Sequence, residues 1–327
     1  MAQTTSEVWD TRWSASRRAV RPEVVDNAFE KYGVLSAFRK KNLMMTDSGG
    51  KEITVFLESS TGDVQAFDKL DNLSKTQSDP IEAAHFKRRY YAAPIVISST
   101  EEWENSGATQ VFNHLNALGD NAFNSILKGV NEDLCGLSSG KRMLGLQDVI
   151  ADDPTSDSVG GIATGSAFWR NQYDITTKTF LTQTVTNIFD GIDLMNDMLD
   201  SCAQQGASKF NIMTTYPVAR AYRVALSSQG YGEINIVKGG GIGGPVLPSF
   251  YGNEMIADAD ISASTLYFVE TEANKLNVLR QANFKKTDFV SLQSNGQLGQ
   301  IAYMVAGVQY TTNNRRRSGV LTDLTGT

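Results

Sequence analysis

The residues with the most chemical potential are few and scattered. The string Lys238-Gly239-Gly240-Gly241-Ile242-Gly243-Gly244-Pro245 satisfies Gly-x-Gly-x-x-Gly at 239, 241 and 244. In a dinucleotide site the last glycine opens a helix whose N-terminal amides face a pyrophosphate. Here Pro245-Val246-Leu247-Pro248 follows, which cannot be that helix, and no Gly-Lys-Ser/Thr pattern supplies a phosphate loop instead. The string reads as a surface loop. Acids pair at Asp152-Asp153, at Asp258 with Asp260 and at Glu270 with Glu272, none with a partner histidine, so solvated turn acids are expected. A Ser-His-Asp or Cys-His relay would have to use one of the 2 histidines. His85 falls on a strand and His114 on a long helix with no Cys, Asp or Glu at i+3 or i+4. Neither is a promising catalytic position. With 2 Cys as well, the chain cannot assemble the roughly four clustered ligands of a structural zinc site. Cys135 and Cys202 read as buried, reduced thiols. Catalysis, a resident metal and a cofactor are therefore not expected.

Composition narrows the class further. The 327 residues are 41% apolar and 20% charged, as in globular chains. With 30 Lys+Arg against 36 Asp+Glu the net charge is −6, the wrong sign for a general nucleic-acid binder. The densest apolar run, Ala92-Ala93-Pro94-Ile95-Val96-Ile97, is strand-sized and far short of a membrane span. Met1 to Glu7 lacks an apolar signal-peptide core, which points to a cytoplasmic product.

The order of elements carries more. Residues 1–48 read as an arm, with Trp9, Trp13, the basic residues Arg17, Arg18 and Arg21, then Lys31, Arg39, Lys40 and Lys41. Only Val24 to Phe38 offers a short amphipathic helix. Residues 49–98 read as one long β-hairpin: Gly49-Gly50 opens it, Ile53, Val55 and Leu57 alternate on the outgoing limb, and Phe86 to Ile97 forms the return. A polar stretch, Ser59 to Asp79, separates the limbs. A two-stranded ribbon is marginal alone, so support from outside the subunit is expected. Residues 107–135 form the clearest helix, with Val111, Leu115, Leu118, Ala122, Ile126 and Val130 at three- and four-residue steps and Gly136 as its stop. Residues 137–170 read as loop, a second helix as running from Lys178 to Gln205, and Phe210-Asn211-Ile212-Met213-Thr214 as a central strand. Pro217 starts a further helix over 218–227. Later strands at 254–257, 265–269, 276–279, 289–292 and 301–310 are expected, those after Thr265 in a separate sheet.

This succession resembles the major capsid protein family of tailed bacteriophages, the Hong Kong 97-type fold. Gly145-Leu146-Gln147-Asp148-Val149-Ile150, followed by Gly160-Gly161-Ile162 and Phe168-Trp169-Arg170, is similar to that family's link from the long helix into its axial domain. Phe210 to Thr215 leading into Ala221-Tyr222-Arg223 resembles the strand-then-helix step of that domain, and Tyr251 to Asp258 resembles its return.

The resemblance implies an α+β fold with an N-terminal arm (1–48), an extended hairpin loop (49–98) and a spine helix (107–135) in a peripheral domain made of 99–150 and 262–327. It places an axial α/β domain at 151–261. The implied function is a shell subunit, not an enzyme, that forms hexamers and pentamers around double-stranded DNA in a virion capsid. Scaffolding, portal and decoration proteins are the implied partners, with non-specific DNA contact and no membrane. A cellular nanocompartment shell of the encapsulin type is the alternative, and a nucleotide-binding enzyme using 239–244 a distant third. Candidate intersubunit residues are Arg17, Arg18 and Arg21 of the arm, Asp63, Asp68, Lys69, Asp71 and Lys75 of the hairpin, and the run Arg315-Arg316-Arg317. Some family members weld subunits by a Lys–Asn isopeptide bond; Lys69 or Lys75 with Asn277 or Asn313 would be the groups here, though nothing singles them out. The early start of the arm points to a separate scaffolding protein.

Overall fold

The computed structural model describes residues 32–59, 64–69, 71, 80–104, 108–163, 166–180, 182–183, 189–228, 248–293 and 296–325, with side chains of the long helix from Leu115 onwards. The chain first makes α1 (Gly33–Lys40), β1 (Met44–Asp47), β2 (Glu52–Glu58), β3 (Ile81–Lys87), β4 (Arg89–Ser98), α2 (Ser99–Glu104) and the long α3 (Ala108–Cys135). Next come α4 (Leu146–Val149), β5 (Gln172–Asp174), β6 (Lys178–Thr179), α5 (Asp190–Gln204), β7 (Phe210–Thr214) and α6 (Tyr216–Ser228). Strands complete the chain: β8 (Ser249–Phe250), β9 (Asn253–Ala257), β10 (Leu266–Glu270), β11 (Asn274–Leu279), β12 (Lys285–Lys286), β13 (Val290–Ser291), β14 (Gly299–Thr312), β15 (Gly319–Leu321) and β16 (Leu324–Thr325).

Two six-stranded sheets organise these pieces. In the first, β14 is the centre: it pairs antiparallel with β4 along one edge and with β11, β12 and β13 along the other, while β1 adds parallel to β11. The spine helix α3 packs on this sheet through Leu115, Ala122, Phe123, Ile126, Leu127, Val130 and Leu134, all buried at helical spacing. The second sheet runs β5-β15-β10-β7-β9-β8. Its strands β7 and β10 are buried along their whole length. The alternation explains why. Ile212, Met255, Leu266, Phe268 and Leu321 face a core shared with α5 and α6, whereas Met213, Ile256, Tyr267, Val269 and Val320 join the core of the spine helix. A sheet covered on both faces reads as a continuous apolar run, because neither face meets water.

Several expectations need correcting. Residues 33–47, read as the end of the arm, dock on the core of their own subunit and add an element to its first sheet. Val34, Leu35, Ala37 and Phe38 of α1 are buried, Phe38 meets Tyr310 edge-on at 5.8 Å, and β1 pairs with β11. An apolar stripe this dense has more to gain from the core than from solvent. The hairpin is shorter than expected because its return limb divides at Arg88. β3 pairs with β2, whereas β4 belongs to the first sheet. Arg88 pins the break: its guanidinium donates to Gly50 O (2.9 Å), Gly49 O (3.0 Å) and Asp47 (2.9 Å). The hairpin is also supported by its own subunit, since Leu57, Ala84 and Phe86 are buried and His85 N–H donates to Gly160 O (2.8 Å). The second helix starts at Asp190, not Lys178. Lys178–Thr179 are instead strand β6, paired with β16, Phe189 is extended, and Asp190 and Asp193 then suit the positive end of a helix dipole. Finally, the strands after Thr265 divide: β11 to β14 form the first sheet, as expected of a separate sheet, but β10 does not join them. β10 and β15 complete the second sheet beside β7, so 262 is not a boundary between sheets. The loop-like 137–170 contains α4 and a 3-10 turn at Ala167–Trp169.

The acid pairs are corrected too. Asp258 is buried; its carboxylate accepts from Val34 N–H (3.0 Å) and from the Asn131 amide (3.3 Å), which also donates to Asp260 (2.6 Å). One side chain thereby ties α1, the spine helix and the end of β9 together. Gly33 is required beside it, because a Cβ there would lie 2.8 Å from Ala257 O. Glu270 is buried as well and accepts from Ala273 N–H (2.5 Å). Asp258→Ala is expected to lower stability by about 1.5–3 kcal/mol, the range for hydrogen bonds to a charged group. A lower urea midpoint, with faster amide exchange across 33–40, is the measurement. Unchanged exchange in α1 would contradict the tie.

Candidate functional site

The expected contact residues do not behave alike. Arg17, Arg18, Arg21, Asp63, Lys75 and the glycine string at 239–244 lie outside the described residues. Asp68, Lys69 and Asp71 are exposed at the hairpin tip. There Asp68 N–H donates to Asp71 (2.7 Å) and Lys69 N–H to Asp68 (2.7 Å), so the two carboxylates shape the turn.

The arginine run forms a 3-10 turn, Arg315–Arg317, capped by Asn314, whose side chain accepts from Arg316 N–H (3.1 Å). At three residues per turn, successive side chains leave the axis about 120° apart. One of three therefore faces inward. It is Arg315, which corrects its assignment to a surface contact: it is 2% exposed. Its Nε donates to Val149 O (2.7 Å), and Nη2 to Asp157 (2.7 Å) and to Asn171 Oδ1 (3.2 Å). Burial pulls its pKa down while Asp157 pushes it back up. Arg316 and Arg317 are half-buried and make no ion pair with any described residue, and Arg317 Nε is buried without a hydrogen-bond partner.

These two arginines line a cleft of about 690 Å³, together with Asn313, Asn314, Phe168, Trp169 and the end of β2 from Phe56 to Ser59. Trp169 is fixed by a hydrogen bond from Nε1 to Val159 O (3.0 Å), and β2 is held by β3, so the walls come from rigid parts. Phe56 is 75% exposed and Glu58 stands exposed beside it. The sequence reading missed the cleft's Phe56, Glu58 and Asn314. The exposed alternate of β2 was a visible signal, but its neighbour across the cleft is over 250 positions away.

Other groups are structural. At the end of the spine helix, Tyr91 donates to Asp133 (2.5 Å), and Arg142 holds the same carboxylate (2.7 Å). Burial, then the Asp133 bond, pushes the Tyr91 hydroxyl pKa up. Cys135 and Cys202 are buried and free, and burial raises both thiols, Cys202 to about 12. His85 Nδ1 lies 3.1 Å from Thr54 Oγ1 on the hairpin. Asn277 is buried against Thr311 (2.6 Å), whereas Asn313 is exposed. Among the described residues no three His, Cys, Asp or Glu side chains are placed to hold a metal ion. No helix among them is long and apolar enough to cross a membrane.

No family model matches the chain, and no curated protein matches its sequence. Solved structures do match. A chain of the cyanophage A-1(L) capsid asymmetric unit superposes with TM-score 0.67 at 14% identity, covering 87% of this chain and 91% of that one. The capsid of a native GTA particle matches with TM-score 0.54 at 11% identity, over 88% and 89%. The holo-SrpI encapsulin complex from Synechococcus elongatus PCC 7942 matches with TM-score 0.56 at 8% identity, over 88% and 87%. At such identities the likeness is one of backbone architecture: spine helix on a sheet, hairpin ahead of it, α/β lobe behind. This chain has the α+β Hong Kong 97-type fold of phage shell proteins.

Proposed function

We propose that the chain is a structural shell subunit that self-assembles as hexamers and pentamers into the icosahedral capsid of a tailed phage enclosing double-stranded DNA. The observation that carries this reading is the end-to-end match to a cyanophage capsid chain, with 87% of one and 91% of the other superposed. The architecture suits the task. A double-lobed body with a projecting hairpin offers each neighbour a different surface, and closed shells need repeated heterologous contacts. Subunits of charge −6 form a container that does not grip packed DNA strongly. The work is mechanical rather than catalytic. Assembly takes place in the host cytoplasm, with scaffolding, portal and decoration proteins as partners and the virion capsid as destination.

Electron microscopy of the purified protein is the test. Closed shells, or hexameric and pentameric capsomers, are expected; a persistent monomer at high concentration, also in the presence of a scaffold, would overturn the reading. The encapsulin match supports a second reading, a nanocompartment that encloses an enzyme. Shell contents separate the two: nuclease-protected DNA for the capsid, a docked protein for the compartment.

A further inference from the structure

We infer that the cleft beside Arg316 and Arg317 is a binding site for a small aromatic anion of the nucleoside phosphate class. The inference goes beyond the shell reading and does not depend on it. Neither guanidinium makes an ion pair or hydrogen bond with any described residue, and Arg317 Nε is buried without an acceptor. Arg317 is also held in place: its guanidinium lies against Gly206 at the end of α5, where a Cβ would stand 3.5 Å from Nη2. Two guanidiniums with donors to spare suit a phosphate, whose oxygens accept charge-assisted hydrogen bonds in the same planar geometry. The rest of the cleft suits an aromatic body. Phe56 presents a ring that is 75% exposed, and Phe168 and Trp169 form an apolar wall. Glu58 stands two residues along the same face of β2, and the exposed Asn313 lines the same space. A base edge carries both donors and acceptors, which a carboxylate and an amide can answer.

Size and charge agree with this class. The cleft's volume of about 690 Å³ is within the roughly 300–1,000 Å³ of pockets that hold compact ligands. Two arginines and one glutamate leave a positive surplus, and a phosphate monoester carries about −1.5 to −2 at pH 7. A continuous nucleic acid strand is the poorer occupant, since its flanking phosphates would run past Glu58. A bound nucleotide also joins the end of β2 to the turn after β14, segments more than 250 positions apart.

Calorimetry on the full chain tests the site, with adenosine monophosphate, adenosine and inorganic phosphate as probes. Adenosine monophosphate is expected to bind with a Kd on the order of 10–100 μM, and the two fragments at least about tenfold more weakly. R316Q/R317Q is expected to weaken adenosine monophosphate at least about tenfold. F56A is expected to weaken it about tenfold while leaving inorganic phosphate unchanged, because only the base stacks on the ring. Phe56 is exposed, so F56A keeps the test intact if the arginine variant fails to fold. K141Q, at an exposed position outside the cleft, is expected to match the parent. Added adenosine monophosphate is also expected to slow amide exchange over 52–58 and 313–318 together. No heat and no protection would overturn the proposal, as would parent affinity in R316Q/R317Q. Parent affinity in F56A would reduce the cleft to an anion hole and overturn the nucleotide assignment. A phosphorylated oligonucleotide bound more than about tenfold tighter than the mononucleotide would make the cleft a nucleic-acid surface and overturn it too. None of these outcomes touches the shell reading, which stands or falls on the micrographs.

Discussion

Arg315→Met is expected to destabilise the subunit by about 3–5 kcal/mol, the cost of leaving the partner of a buried ion pair uncompensated. The methionine fills much of the space but returns nothing to Val149 O, Asn171 or Asp157, all of which face the guanidinium at 2.7–3.2 Å. Asp157 is 24% exposed and regains some hydration, so the lower end of the range applies. Arg315→Lys is expected to recover little, since one ammonium cannot reach three acceptors held in a planar fork. Arg316→Met, one residue along the same turn, is expected to change the unfolding free energy by no more than about 0.5 kcal/mol. Urea unfolding of the three chains reads the difference. Equal midpoints for the Arg315 and Arg316 variants would remove Arg315 from its interior role.

Gly145→Ala is the second large effect. A Cβ at 145 would overlap the carbonyl oxygens of Gly136 and Asp133, backbone atoms at the end of the spine helix that have no room to yield. The backbone angle is not the obstacle: φ is −102°, open to any residue. Close approach alone demands glycine there. The segment is further fastened by Asp148, which accepts from Gly145 N–H (2.8 Å), Ser138 N–H (2.9 Å) and Ser138 Oγ (2.9 Å). Overpacking against fixed backbone is expected to cost about 3 kcal/mol, the upper end of the usual range, with loss of soluble protein at 37 °C. Gly129→Ala supplies the contrast. It sits within the spine helix with nothing within 4 Å of its added Cβ, and is expected to stabilise by up to about 1 kcal/mol through helix propensity. Thermal unfolding of both chains settles the comparison; similar melting temperatures would contradict it.

What the sequence disclosed follows from the range of its signals. The spine helix was legible because 3.6-residue periodicity is a local property, and β7 followed by α6 because Pro217 sits where a first turn tolerates it. Sheet membership was not. Nothing within Leu266-Tyr267-Phe268-Val269 says that its partners are 210–214 and 319–321, so β10 was placed in the wrong sheet. Division of the return limb at Arg88 was hidden for the same reason, since β4 is defined by a strand more than 200 residues away. The candidate contact residues show a different blindness. Three identical arginines have one signature in the sequence, and only the turn decides which points inward. Asp258 looked like a turn acid because its partners, Val34 and Asn131, are distant in sequence.

The tie between Val34 and Asp258 spans 224 positions. During synthesis at roughly 5–20 residues per second, α1 leaves the ribosome on the order of ten to forty-five seconds before its anchor is made. Through that interval the stripe of Val34, Leu35 and Phe38 lacks its anchor, and β4 waits nearly as long for β14. The nascent subunit is thus a natural client for a chaperone that shields apolar helices. Seating of α1 cannot precede synthesis of Asp258 and Tyr310, so it falls late in the folding of each copy.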